Sequence, residues 1–135
     1  MIRLGTLFSG IGAIEQALIR LNQEHKIIFA CDNGDVELKF FDKVKLSQYE
    51  TLKKRAKKSD FTPLEAQALE EMSKAEESML TSIKEEMFSK QTKNEKRAFI
   101  ESIYQKYGKG KNYVRSSYLA NYDIDEEDFH LDVRF

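Results

Sequence analysis

With one cysteine, one proline and no tryptophan among 135 residues, the sequence rules out several classes of protein before any motif is read. A lone Cys31 cannot form an internal disulfide, which points to a reducing, cytoplasmic compartment. No apolar run approaches the roughly 18 residues that a membrane-crossing helix needs. The first residues read as a short strand and not as a basic, then apolar, cleavable signal, so a soluble chain is expected. An excess of charge of one sign is missing too. Lys+Arg of 22 against Asp+Glu of 23 leaves no global field to draw the chain to nucleic acid or to an anionic membrane, and any basic patch has to be local. The two histidines, His25 and His130, have no partner at metal-ligand spacing, which argues against a zinc site.

What is present is unevenly distributed. Residues 1–34 hold four of the six glycines and few charges. The β-prone stretch 2–8 predicts a strand, followed by the small-residue turn Ser9-Gly10-Ile11-Gly12. Ile14, Ala17, Leu18 and Leu21 then recur at helical spacing, which predicts a helix from Gly12 or Ala13 to Asn22 packed on that strand. The run Ile27-Ile28-Phe29-Ala30 suits a second strand, at 26–31, buried on both faces of a parallel sheet. From about residue 36 to 111 the composition turns to charged stretches at helical spacing. Thr62-Pro63-Leu64-Glu65 is a helix start, with a Thr cap, Pro at the first position and Glu placed to close a capping box. Leu69, Met72, Leu80, Ile83 and Met87 form one apolar stripe, and Phe99, Ile100, Ile103, Tyr104 and Tyr107 form another that stops at Gly108. With a further candidate helix at 46–58, these predict an antiparallel helical hairpin with flanking pieces. Residues 113–122 predict one more helix, and His130 to Phe135 a closing strand.

The chemistry-bearing feature is Phe8-Ser9-Gly10-Ile11-Gly12-Ala13, a strand running into a glycine turn that opens a helix. Such a turn brings a ligand close to the backbone, and the helix start offers unpaired N–H groups to an anion. The third glycine of a dinucleotide fingerprint is missing, because Glu15 holds that place, which disfavours a nicotinamide cofactor. Asp32 follows Gly12 by twenty residues, at the end of the second strand. A carboxylate there accepts hydrogen bonds from both hydroxyls of a ribose. Taken singly, each feature has a plainer reading: glycines for tight packing, Asp32-Asn33-Gly34 as an ordinary turn, Cys31 as a small buried hydrophobe.

Three segments in order carry a family resemblance. Residues 4–18, above all Phe8-Ser9-Gly10-Ile11-Gly12-Ala13, resemble the first conserved block of DNA cytosine-5 methyltransferases. Phe29-Ala30-Cys31-Asp32 is similar to their second block. Tyr118-Leu119-Ala120-Asn121-Tyr122, followed by Phe129 to Phe135, is similar to the helix and strand leading into the third. The resemblance covers about sixty residues, in 1–35 and 113–135. It implies a partial doubly wound, Rossmann-like parallel sheet of the α/β class, with 36–112 as a helical insertion. It also implies S-adenosylmethionine as cofactor. The turn Ser9 to Ala13 would wrap the methionine part, Asp32 would hold the ribose, Asp132 would meet the adenine amino group, and Val133 and Phe8 would pack on the ring. Ala13 stands where many members carry another glycine. Asn33 replaces an apolar or aromatic residue, which weakens stacking on that face of the adenine.

By the same resemblance the nucleophile is a cysteine in a Pro-Cys dipeptide, yet the only proline here, Pro63, is followed by Leu64. No catalytic residue is therefore assigned. The expectation is a cofactor-binding portion of a restriction-modification type cytosine methyltransferase, inactive alone. DNA would be met through the complete enzyme, and a complementary catalytic chain or a homodimer would cover the first strand's open edge. Lys53, Lys54, Arg55, Lys57 and Lys58 are the residues that could reach DNA phosphates, with a solvated helix face as the plainer account. The competing expectation is a non-catalytic module whose sheet and helices dock a protein partner.

Overall fold

A computed structural model describes residues 1–135. The chain is α/β, with three parallel strands and five α-helices. In order these are β1 (Ile2–Leu7), α1 (Ala13–Arg20), β2 (His25–Cys31), α2 (Lys43–Arg55), α3 (Pro63–Ser89), α4 (Lys93–Tyr107), α5 (Tyr113–Asn121) and β3 (Phe129–His130), with a 3-10 turn at Glu126–Asp128. Two compact units result: Met1–Glu37 together with Gln91–Phe135, and Leu38–Lys90. No helix is long and apolar enough to cross a membrane.

The first unit carries the sheet, in the order β1-β2-β3. β1 and β2 run parallel from Ile2↔His25 to Leu7↔Cys31, with a one-residue bulge where Leu4↔Ile27 gives way to Gly5↔Phe29. The ring of Phe29 lies where a Cβ on Gly5 would be, so a residue that ordinarily weakens a strand is what lets the neighbouring strand's ring pack here. α5 closes the core through Tyr118, fully buried among Ile27, Ala30, Tyr122 and Phe129. Its ring centroid lies 4.7 Å from that of Tyr122 and 5.5 Å from that of Phe129. Burying an aromatic ring of this size contributes roughly 1.5–3 kcal/mol.

Three expectations change. The apolar spacing sends Ile14, Ala17, Leu18 and Leu21 of α1 toward the strand, but Ile14 and Leu21 are 55% and 67% exposed and the buried residue is Glu15. The reason lies in its partners. The hydroxyls of Tyr118 and Thr6 both donate to the Glu15 carboxylate, so a buried acid is satisfied. The closing strand is only two residues long. Just beyond it Asp132 Oδ1 accepts the N–H of Arg134 at 2.9 Å, an Asp turn that bends the chain out of the ladder. Residues 91–112, read as part of the insertion, belong to the sheet-bearing unit. They are tied to it by Tyr104 donating to Asp132 and by Arg115 bridging to Glu101.

The second unit is an antiparallel helix pair, α2 on α3. Asp42 starts α2 by accepting from Val44 and Lys45 N–H groups at 3.0 and 2.9 Å, three residues earlier than periodicity alone places it. Tyr49 is buried, with its hydroxyl donating to Glu76 at 2.9 Å and its ring edge-to-face with Phe41. The capping box of Thr62 and Glu65 forms as the sequence indicates, and the same carboxylate takes two bonds from Arg55, at 2.5 and 3.2 Å.

Candidate functional site

The carboxyl ends of β1 and β2 meet at one place. Phe8 leaves β1 with φ +57, Gly10 has φ +53 and Gly12 φ +84, so the turn is left-handed at three positions, one of them a phenylalanine. Ser9 ties it down: its N–H donates to Cys31 O, and its Oγ accepts from Cys31 N, both at 3.0 Å, while Oγ and Thr6 Oγ1 are 2.9 Å apart. The Gly10 N–H donates to Asp32 Oδ2 at 2.8 Å and that of Gly34 to Oδ1 at 2.7 Å. Glycine turn and acid are therefore neighbours, joined by a hydrogen bond. Two N–H bonds leave a carboxylate with about two further acceptor positions. The Asp32 carbonyl accepts from Asn112 Nδ2 at 2.8 Å, which fixes the loop from behind.

The two glycines of the turn serve different ends. A Cβ on Gly12 would strike the ring of Tyr122, whose hydroxyl donates to Gly12 O and Ile11 O, so Gly12 serves packing of the chain on itself. A Cβ on Gly10 would meet nothing within 4 Å, so open space faces the backbone there. Ala13 is the first residue of α1, whose start has no side-chain cap. Phe8 and Ile11 flank the turn with exposures of 76% and 71%, unusual for residues this apolar.

Asp132 reaches the carboxyl end of β3 and is buried, but its own chain engages it. Arg134 Nε donates at 2.9 Å to Oδ1 and Nη2 at 2.6 Å to Oδ2, and Tyr104 OH donates to Oδ2 at 2.5 Å. Burial works against its charge, yet the bonds from Arg134 and Tyr104 outweigh it and hold the carboxyl below its usual range. An adenine amino group would compete with Arg134 for this acid. Val133 is about half exposed. Asn33 is engaged locally, with Oδ1 accepting from Asp35 N and Nδ2 donating to Val36 O. Burial, then the carboxylates of Asp132 and Asp32, push the Cys31 thiol up to about 11, so it stays protonated and unreactive at neutral pH. No three acidic, histidine or cysteine side chains come together in a group that could hold a metal ion.

Contacts that spacing does not reveal complete the frame: Glu15 with Tyr118 beneath the turn, Tyr122 against Gly12, and Asn112 behind Asp32. Only Asn112 left a legible signal, as the cap before α5, where it accepts from Arg115 N. Of the basic run, Lys53 pairs with Glu50 and lies over the Tyr49 ring, and Arg55 pairs with Glu65 and Asp60, so these two already have partners within the helix pair. No protein-family model matches the chain, and no curated protein or solved structure is detectably similar to it.

Proposed function

We propose that the sheet-bearing unit is the S-adenosylmethionine-binding portion of a DNA cytosine-5 methyltransferase, built on part of a doubly wound, Rossmann-like sheet. The observation that carries this reading is the 2.8 Å bond between Gly10 N and Asp32 Oδ2, at the carboxyl ends of adjacent parallel strands, where ligands of such sheets bind. The residues present suit such a cofactor. Asp32 keeps acceptor capacity for two ribose hydroxyls, the open side of Gly10 admits a ligand to the backbone, and exposed Phe8 offers a ring to an adenine. When bound, the cofactor supplies an electrophilic methyl group. The chain's part is to hold and orient it.

In this reading the attacking thiolate, the groups that hold cytosine and the contacts to DNA come from outside the sheet-bearing unit, and the unit alone transfers no methyl group. Calorimetry with S-adenosylhomocysteine tests it. Binding that Asp32→Ala abolishes, with the fold intact by circular dichroism, is the expected result; no heat of binding, even at high ligand concentration, removes the proposal. A second reading, a non-catalytic docking module, draws on the exposed apolar residues of α1 and gains ground if binding is absent.

A further inference from the structure

Asp32 is held by more than the two N–H groups that meet its carboxylate. Its own N–H donates to His130 O at 3.1 Å, across to β3, and its carbonyl accepts from Asn112 Nδ2 at 2.8 Å. The main chain of this one residue is thus fixed on both sides. The carbonyl matters most, because the Asp32 C=O and the Asn33 N–H belong to one rigid peptide plane. Holding the oxygen fixes that plane, and with it the course of the chain to Gly34, whose N–H reaches back to Asp32 Oδ1 at 2.7 Å. With the oxygen released the plane is free to rotate, and the Gly34 N–H leaves the carboxylate.

Asn112 comes to this place from 80 residues away in sequence, and it takes a primary amide to do both of its tasks. Oδ1 accepts the Arg115 N–H at 2.9 Å, which caps α5, while Nδ2 donates to Asp32. The opposite orientation would set oxygen against oxygen and N–H against N–H, so the neighbours fix the amide. Aspartate or serine at this position would still cap the helix. Neither would hold Asp32, because a carboxylate has no proton to donate and a serine hydroxyl is one bond too short to span both partners. Gly34 makes room for the arrangement: a Cβ there would strike the Asn112 side-chain oxygen, besides straining a left-handed φ of +61.

We propose that Asn112 is the positioning residue of the candidate cofactor site, setting the aim of the Asp32 carboxylate toward the two hydroxyls of a ribose. It acts through Asp32 and not on the ligand. The ribose part of this inference rests on the S-adenosylmethionine reading, whereas the dependence of Asp32 on Asn112 does not.

The test compares the full chain with its Asn112→Asp and Asn112→Ser variants, both of which keep a cap for α5. Amide exchange is read first, without ligand. The Gly10 and Gly34 amides should exchange about tenfold faster in both variants, the loss that goes with one hydrogen bond, while the Arg115 amide stays protected. Unchanged Gly10 and Gly34 amides overturn the proposal, and so does an effect confined to the aspartate variant, whose added charge would then be the cause. Loss of Arg115 protection along with the glycines overturns it too, since Asn112 would then serve the helix alone. Calorimetry with S-adenosylhomocysteine and its 2′-deoxy analogue follows. Both variants should weaken the first about tenfold and the second much less, because the analogue keeps only one of the two hydroxyls that Asp32 would hold. Equal weakening of the two ligands, or none, overturns the proposal. An unmodified chain that binds neither removes the cofactor reading, and the amide comparison then still decides whether Asn112 aims Asp32.

Discussion

The hydroxyl of Tyr118 donates to the carboxylate of Glu15 across 103 residues of sequence, and both side chains are almost completely removed from water. The bond joins the helix that follows the glycine turn to the helix that closes the core. Desolvation, then the Glu15 carboxylate, push the Tyr118 phenol well above its usual range, so the hydroxyl stays a donor. Removing it leaves a buried acid with only Thr6 as donor, at 3.5 Å. Tyr118→Phe should therefore destabilise the chain by about 1.5–3 kcal/mol in denaturant unfolding, the range for a hydrogen bond to a charged group. The double variant Tyr118→Phe/Glu15→Leu should recover part of that loss, since neither polar group is then stranded; a double variant that simply adds the two losses contradicts this account.

Gly10 and Gly12 share a left-handed backbone but not surroundings. Alanine in that conformation costs roughly 1–2 kcal/mol at either position. At Gly12 it must also displace the Tyr122 ring, which bonds to two carbonyls of the turn. Thermal unfolding should rank Gly12→Ala clearly below Gly10→Ala, with the near-ultraviolet tyrosine signal altered only in the former. Equal losses would mean that backbone strain alone sets the cost.

The sequence and the structure part company where a polar residue is buried. The first two strands, the glycine turn, the Thr62 capping box and the last helix were legible, because each rests on a local rule of spacing, capping or backbone freedom. The juxtaposition of Gly10 and Asp32 was legible too, from a strand, a turn and an acid in order. The burial of Glu15 was not. Its donors lie nine and 103 residues away, and helical periodicity alone assigns the inward face to Ile14 and Leu21. Nor was the end of β3 at His130, which depends on the Asp132 side chain folding back on Arg134. The membership of α4 in the sheet-bearing unit escaped for the same reason. It hangs on Tyr104 reaching Asp132, a contact 28 residues long in sequence.

Cys31 offers a pH prediction with a definite sign. Its folded pKa of about 11 lies above the ordinary value of 9.0, so the protonated thiol is the form the fold favours. That contribution to stability is complete below about pH 9 and is lost as pH rises toward 11. At pH 8 the two-unit shift cuts the thiolate fraction about a hundredfold. A disulfide reagent should label native protein at least that much more slowly than unfolded protein, and Cys31→Ser should lessen the alkaline fall in stability between those pH values, leaving the part that the raised phenols of Tyr104 and Tyr118 contribute. Rapid labelling of the native chain would place the thiol at the surface.

Glu65 gives the opposite sign. Arg55, first by its side-chain hydrogen bond, and then the Thr62 backbone N–H hold its carboxyl down to about 2, against an ordinary 4.5. The charged form is the one the folded chain favours, so its support for the α2–α3 pair is present above pH 4.5 and fades as pH falls toward 2. The group is only partly buried, so salt should weaken the effect. Carboxyl titration by nuclear magnetic resonance should find Glu65 titrating well below the ordinary 4.5. In Arg55→Gln it should move most of the way back toward 4.5, with the remaining depression traceable to Thr62 at the start of the helix. A Glu65 that titrates near 4.5 in the unmodified chain would show that the Arg55 fork does not persist in solution.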